Sequence, residues 1–64
     1  MQISIKAARV NSEMTQEAAA NKLGVGRKTL ASWENFVTMP SADKINLICG
    51  LYEIEYDNIR WRKK

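Results

Sequence analysis

The sequence has no histidine and a single cysteine, Cys49, among its 64 residues. One thiol cannot form an internal disulfide, and without histidine it provides neither a zinc-ligand set nor a Cys–His catalytic dyad. Histidine is also the commonest general base near neutral pH, so its absence argues against an enzyme. We therefore expect no catalytic residues, no metal, no cofactor and no small-molecule substrate, and we interpret Cys49 as a reduced thiol of the core.

Long apolar runs are missing as well, since no stretch approaches the ~20 residues that cross a bilayer. A chain of 64 residues has room for one small domain, and such a domain buries only ~60% of the surface that its unfolded chain exposes. It cannot also enclose a large substrate cavity. We expect a single domain over residues 1–64, located in the cytoplasm and not on a membrane, that acts by binding a macromolecule.

Acidic residues are outnumbered, with seven Asp and Glu against ten Lys and Arg. Residues 1–36 carry five basic and three acidic side chains, residues 37–59 carry one and four, and residues 60–64 carry four basic side chains and no acid. A net charge of +3 is compatible with a nucleic-acid partner but is common in other proteins. The basic tail, 62–64, is interpreted either as a frayed, solvated terminus or as an arm that attracts phosphate at low salt.

Strand signals are scarce, and the one fragment that alternates with period two lies at residues 2–5. Capping residues and apolar spacing instead predict five short helices. Ser4, Thr15 and Ser41 are the predicted N-caps of the first, second and fourth helices. The predicted helices cover residues 5–11, 16–23, 26–35, 42–52 and 56–61. The predicted fold is therefore all-α, a compact five-helix domain.

The second and third predicted helices are separated by a short turn. Gly24 lies where a left-handed residue closes a helix, and Val25 is expected to point inward. Ala20, four residues before Gly24, lets a crossing helix approach closely. These are the ingredients of a helix-turn-helix, a unit that also occurs in bundles that bind no DNA.

The third predicted helix has two different faces. At ~100° per residue, Leu30 and Trp33 fall on one side and are predicted to be buried. Lys28 lies opposite them with Ser32 beside it, and Arg27 is on the flank. This outward face is polar, short-chained and free of acidic residues, so its shape suits the major groove of DNA.

The run TQEAAANKLGVGRKTLASWEN, residues 15–35, resembles the helix-turn-helix of the lambda-repressor-like family, the Cro and Xre type of phage and bacterial regulators. The resemblance continues through Pro40-Ser41, Leu51-Tyr52 and Asp57-Asn58-Ile59, and covers roughly residues 4–60. The Thr-Gln start, the spacing of Ala and Gly and the Trp-Glu-Asn ending make it specific when taken together. The family's domain is a compact five-helix DNA-binding unit, which agrees with the predicted fold.

The resemblance implies two sets of DNA contacts. The residues that would read bases are Gly26, Arg27, Lys28 and Ser32. The residues that would contact phosphates are Thr15, Gln16, Asn35 and Thr38. Arg or Lys would favour guanine O6 and N7, by ~1–3 kcal/mol over a wrong base. The alternative interpretation of the Arg27–Lys28 pair is a basic face that is merely solvated.

The resemblance also implies an ion pair between Arg9 and Glu34. Its role would be to orient the third helix on the first rather than to contact DNA. The sequence departs from the family pattern at Phe36 and Val37, where a glycine and then a basic residue are common. A phosphate-binding lysine is therefore absent from this loop. Glu53 stands where Gly or Asn often closes the fourth helix, which predicts some backbone strain.

The leading hypothesis is a sequence-specific transcriptional regulator, of the phage or prophage repressor type, in the cytoplasm of a bacterial or phage-infected cell and associated with the nucleoid. It would bind a palindromic double-stranded DNA operator as a homodimer, with the third helix in the major groove. Tyr56 and Trp61 are candidates for the dimer contact, and their alternative is a place in the core.

The second hypothesis is a protein-interaction module, in which the helix-turn-helix serves an antitoxin or binds a partner regulator. Phe36, Val37 and Met39 would form its contact surface, because they are large apolar residues in a loop that is expected to be exposed.

Overall fold

The computed structural model describes residues 1–62. Within this range there are four α-helices: α1 (Ile5–Asn11), α2 (Gln16–Leu23), α3 (Arg27–Glu34) and α4 (Ala42–Tyr52). The first four predicted helices are therefore confirmed, with ends that differ by one residue at most. Lys63 and Lys64, which make up most of the predicted basic tail, lie outside the described residues.

The prediction of a fifth helix over residues 56–61 is wrong. The chain makes a single 3-10 turn at Tyr56–Asn58 and then enters a short strand, β2 (Ile59–Arg60). The carbonyl of Tyr56 accepts hydrogen bonds from the backbone N–H of Ile59 and from the indole N–H of Trp61. An α-helix would instead pair the Tyr56 carbonyl with the N–H of Arg60, but the backbone is already extended at Ile59, with φ of -110° and ψ of 134°.

The prediction of an all-α fold also needs correction at the chain ends. β2 pairs in parallel with β1 (Ile3–Ser4), so that Ile3 faces Ile59 and Ser4 faces Arg60. β1 lies within the alternating fragment at residues 2–5. Two residues of strand form only because the other end of the chain supplies their hydrogen-bonding partner.

Local chemistry fixes the ends of the helices that form the turn. The hydroxyl of Thr15 accepts a hydrogen bond from the N–H of Ala18 at 3.1 Å and caps the start of α2. At the other end Gly24 is left-handed, with φ of 73°, and the N–H of Val25 returns to the carbonyl of Ala20 at 3.0 Å. Ser4 caps α1 in the same way as Thr15 caps α2. The predicted caps Ser4 and Thr15 and the predicted left-handed glycine are confirmed, whereas Ser41 occupies the predicted N-cap position of α4 without a capping hydrogen bond from its side chain.

The core joins the helices to the terminal strands. Its buried apolar members come from every helix and from the C-terminal segment: Ile5, Ala8, Ala19, Ala20, Leu23, Leu30, Trp33, Ile48, Tyr52, Ile59 and Trp61. Leu30 and Trp33 confirm the predicted inner face of α3, and Val25 packs against the core as predicted. Small alanines on α2 leave room for α3 to pack closely across it.

Two further features of the described residues bear on the sequence predictions. Glu53 closes α4 in the left-handed region, with φ of 53°, so the predicted strain falls on a residue with a side chain. Within residues 1–62 no helix is long and apolar enough to cross a membrane.

Candidate nucleic-acid interface

The first turn of α3 projects from the body of the protein. Gly26 is the N-cap, and Arg27, Lys28 and Thr29 after it are all exposed. The space around Gly26 is open, since a Cβ atom added there would meet nothing within 4 Å. Two cations therefore stand at an unobstructed helix end.

The inner face of α3 holds these side chains in place. Leu30 is fully buried and Trp33 is 5% exposed, so the helix cannot turn about its axis without opening the core. Lys28 and Ser32 are one turn apart, and Ser32 is half-buried. The structure thus places the predicted base-reading residues on the solvent side of α3, with Ser32 more recessed than the cations.

The loop after α3 folds back on the end of that helix. The carbonyl of Ser32 accepts the N–H groups of Val37 at 2.9 Å and of Thr38 at 3.4 Å. This loop requires a left-handed backbone at Phe36, whose φ is 61°. Asn35, the C-cap of α3, and Thr38 are both exposed. Two of the predicted phosphate-contacting residues therefore lie at the C-terminal end of α3, and the predicted base-reading cations lie at its N-terminal end.

Arg9 and Glu34 join α1 to the end of α3. The Nε of Arg9 donates to Oε2 of Glu34 at 2.7 Å, and Nη2 donates to Oε1 at 3.4 Å. Nη1 of the same guanidinium donates to the carbonyl of Met14 at 2.9 Å. The two side chains are only 11% and 3% exposed. This pair is the one that the resemblance implied, and its burial places it in the architecture rather than on the surface.

Gln16, at the first position of α2, makes a contact that the sequence did not indicate. Its Nε2 donates to Oε1 of Glu34 at 3.0 Å, and the side chain is half-buried. Thr15, just before it, is exposed, and its hydroxyl accepts from the backbone and keeps its own proton free to donate. Gln16 is thus tied to Glu34, the last residue of α3, which directly precedes Asn35 in the chain.

The exposed N-terminal end of α3 is positively charged because its two cations are unpaired in the described part of the chain. Within residues 1–62 the ion pair of Arg9 and Glu34 is the one present, so neither Arg27 nor Lys28 has an acidic partner there. A positive helix end without a nearby carboxylate attracts anions.

Two residues with structural consequences were missed by the sequence reasoning. Thr29 is exposed on the first turn of α3 and lies one turn before Ser32, a spacing that was available in the sequence. Lys44 donates from Nζ to the carbonyl of Leu23 at 3.0 Å, and no local pattern connects two residues so far apart in the chain.

A comparison with protein-family models gives one match, to a model described as helix-turn-helix, over residues 5–59. The chain belongs to the lambda-repressor-like helix-turn-helix family. No significant match was found among curated proteins or among solved structures. Membership places this helix-turn-helix domain, with α2 and α3 as its two helices, among DNA-binding regulators, which are generally not enzymes.

The predicted dimer contacts occupy different environments in this helix-turn-helix domain. Tyr56 is 51% exposed, whereas Trp61 is 7% exposed and donates its indole N–H to the carbonyl of Tyr56 at 3.1 Å. Their rings are stacked, with centroids 5.6 Å apart. Both line an open cleft of about 290 Å³ together with Met39 and Arg60. Tyr56 is therefore the one of the two that presents most of its ring to a partner.

Two of the remaining titratable side chains, Cys49 and Tyr52, have raised pKa values. Within residues 1–62 no group of three or more Cys, Asp and Glu lies close enough to hold a metal ion. Burial raises the pKa of the Cys49 thiol, and the nearby Glu55 carboxylate raises it further. Burial and then the Glu34 carboxylate raise the pKa of Tyr52 to about 12. Both groups stay neutral near pH 7, which suits members of a core better than nucleophiles.

Proposed function

We propose that the protein is a sequence-specific transcriptional regulator that binds a palindromic DNA operator as a homodimer, with α3 in the major groove. It would act as a repressor of the phage or prophage type by occupying a promoter. One observation carries this proposal: Arg27 and Lys28 stand exposed and unpaired on a helix whose opposite face is locked by Leu30 and Trp33. A fixed helix with a free basic end is suited to the major groove.

In the proposed complex, the two ends of α3 have different tasks. Gly26, Arg27, Lys28 and Ser32 read bases from within the groove. Thr15, Gln16, Asn35 and Thr38 contact the phosphates beside it and fix the register of α3. Exposure of Thr15, Asn35 and Thr38 supports this division, since each is open to a partner.

Self-association is proposed at the C-terminal segment, with Tyr56 as its centre. The exposed ring of Tyr56 is available to pack against a second protomer, and its stacking on the buried ring of Trp61 holds it in place. A symmetric dimer would present two copies of α3 to half-sites about one helical turn apart.

Selection from random duplex DNA, followed by affinity measurements on the recovered sequence, tests the proposal. We expect a palindromic consensus, which reports specificity and dimer symmetry together. The double variant Arg27→Ala, Lys28→Ala should lose ~1–3 kcal/mol for each base contact and bind the recovered duplex little better than random DNA. Circular dichroism should show that its helices are retained, since both side chains are exposed.

Lys6→Ala is the matched control. Lys6 is also an exposed cation, on α1, but belongs to neither proposed contact set. Its removal should leave specificity unchanged and affect only the salt-dependent part of the affinity. If the variant without Arg27 and Lys28 still prefers the recovered duplex as strongly as the wild type, α3 does not read the bases through these residues.

A second candidate function rests on the loop after α3. Val37 is 72% exposed and Met39 is 39% exposed, whereas Phe36 is half-buried. Two apolar side chains on the surface favour binding to a protein, which would be another regulator or, if this chain is an antitoxin, its toxin. The variant Val37→Ser, Met39→Gln separates the two functions: a regulator keeps its affinity for the recovered duplex, and an interaction module loses its protein partner instead.

A further inference from the structure

The hydrogen bond from Gln16 to Glu34 determines how the Gln16 amide is turned. A carboxylate can only accept, so the donor atom Nε2, and not Oε1, must face Glu34. Nε2 carries two hydrogens, and one of them is used at 3.0 Å from Oε1 of Glu34. The second hydrogen remains for another acceptor. Gln16 is half-buried, so part of the residue stays open to a partner.

Glu34 is itself held firmly. Its carboxylate is 3% exposed and accepts from two nitrogens of Arg9, one on each oxygen. Arg9 is fixed in turn by the carbonyl of Met14. The three side chains therefore form a chain of hydrogen bonds, from α1 through the end of α3 to the start of α2, in which each member orients the next.

We propose that Glu34 is a positioning residue for DNA binding: it holds the Gln16 amide so that the second Nε2 hydrogen is presented to a phosphate oxygen of the duplex. This inference rests on the proposed function and gives the buried ion pair a second task. Arg9 makes the arrangement possible, because an uncompensated carboxylate beside Gln16 would repel the phosphate. The pair therefore orients the donor while keeping the local charge near neutral.

The benefit is preorganisation. A free glutamine side chain samples many rotamers and loses that freedom when it binds a phosphate. Where Glu34 has already fixed the amide in the unbound protein, less freedom is lost on binding and the affinity rises. A structural role for the pair alone makes no such link between Glu34 and a particular phosphate.

Backbone-neutralised DNA tests the link. The duplex recovered from random DNA is synthesised with one neutral methylphosphonate at a time, and affinity is measured for each position. The wild type should lose affinity at several phosphates. Gln16→Met keeps the shape of the side chain but cannot donate a hydrogen bond, so it should bind the unmodified duplex roughly tenfold more weakly or worse. At one phosphate per half-site, the neutral methylphosphonate should then cause no further loss of affinity. All other positions should behave as in the wild type.

Glu34→Gln supplies the decisive comparison. The new amide keeps its single oxygen toward Arg9 and turns its NH2 group, which cannot accept, toward Gln16. Glu34→Gln should therefore reduce the sensitivity at the same phosphate as Gln16→Met, and it should add nothing to the loss when the two changes are combined, since both remove one hydrogen bond. If circular dichroism shows Glu34→Gln to be unfolded at the temperature used, Glu34→Asp takes its place. Aspartate keeps the charge opposite Arg9 but withdraws the carboxylate by one methylene from Gln16.

Ile48→Val controls for lost stability. Ile48 is fully buried on α4 and lies outside the hydrogen-bond chain, so this variant lowers stability without touching Gln16. It should keep the full pattern of phosphate sensitivities. Multiplicative losses from Gln16→Met and Glu34→Gln, or losses at different phosphates, would overturn the positioning role. Failure of the proposed function gives a different result. In that case the wild type prefers no duplex sequence, and replacing Arg27 with alanine does not change the affinity for DNA.

Discussion

The ammonium group of Lys44 lies 3.0 Å from the carbonyl oxygen of Leu23 and joins α4 to the last residue of α2. The last carbonyls of a helix have no partner within the helix, and a cation there also meets the negative end of the helix dipole. A Cβ atom placed on Gly24 would be 3.8 Å from the same nitrogen. Lys44 therefore stabilises the C-terminal end of α2, where the turn of the helix-turn-helix begins.

Lys44→Met should lower the free energy of unfolding by about 1–2 kcal/mol, because it keeps the apolar stem and removes the hydrogen bond and the charge. Urea denaturation followed by circular dichroism measures this loss. Lys6→Met is the matched control, since Lys6 is exposed and should change the stability by less than about 0.5 kcal/mol. Equal effects from the two substitutions would show that the contact with Leu23 contributes nothing.

Arg9→Met should be among the most damaging single substitutions. It leaves the carboxylate of Glu34, 3% exposed, without its cation, and breaking a buried pair in this way costs about 3–5 kcal/mol. A domain of this size has only about 5 kcal/mol of stability in total, so we expect a largely unfolded protein at 25 °C. Loss of the helical circular dichroism signal checks this. A cooperative, near wild-type melting curve would contradict it.

Tyr52→Phe should be neutral or slightly stabilising at pH 7. The hydroxyl of Tyr52 is buried and has no hydrogen-bond partner among residues 1–62. Because this hydroxyl has no partner there, its removal leaves no other buried polar group unpaired. Thermal melting at pH 7 measures the difference, and a clear destabilisation would mean that the hydroxyl has a partner in solution.

The same variant should alter the stability in alkali. The pKa of Tyr52 is raised in the fold from 10.0 to about 12, by burial first and then by the Glu34 carboxylate. The folded state thus favours the neutral phenol, and this contribution is complete below pH 10 and is lost as the pH rises from 10 towards 12. The wild type should therefore lose stability more steeply than Tyr52→Phe across that range. Urea midpoints at several pH values measure both slopes, and parallel slopes would contradict the shift.

Glu53→Gly should stabilise the protein by about 1 kcal/mol. Glu53 is exposed and left-handed, with φ of 53°, a conformation that is unfavourable for residues with a Cβ atom and free for glycine. Gly24→Ala is the mirror experiment, because Gly24 has φ of 73° and should lose a similar amount. Melting temperatures should move in opposite directions. A shift in the same direction for both would show that the left-handed backbone is not what decides the stability.

The local elements of this domain could be predicted because their signals are local. Thr15 caps α2 through a neighbour three residues away, and Gly24 ends it through its own backbone freedom. The inner face of α3 follows from the spacing of Leu30 and Trp33 alone. For the same reason the exposed positions of Arg27 and Lys28 could be predicted from the helix period.

The C-terminal segment could not be predicted in this way. The region from Tyr56 to Trp61 has residues that a helix tolerates, yet Ile59 is extended because Ile3 lies beside it as a strand partner. Two-residue strands have too little local signal to outweigh a helical pattern. The choice was made by a contact between the two ends of the chain.

The sequence by itself determined the four helices, the side-chain caps of α1 and α2 and the polar outer face of α3, since each depends on residues within a turn or two of one another. Only the tertiary structure decided that Gln16 would donate to Glu34, that Lys44 would hold the end of α2, and that the chain ends would pair as strands. Each of these joins residues 18 or more positions apart. Their hydrogen bonds become available only after the core has brought the helices together, so no local pattern encodes them.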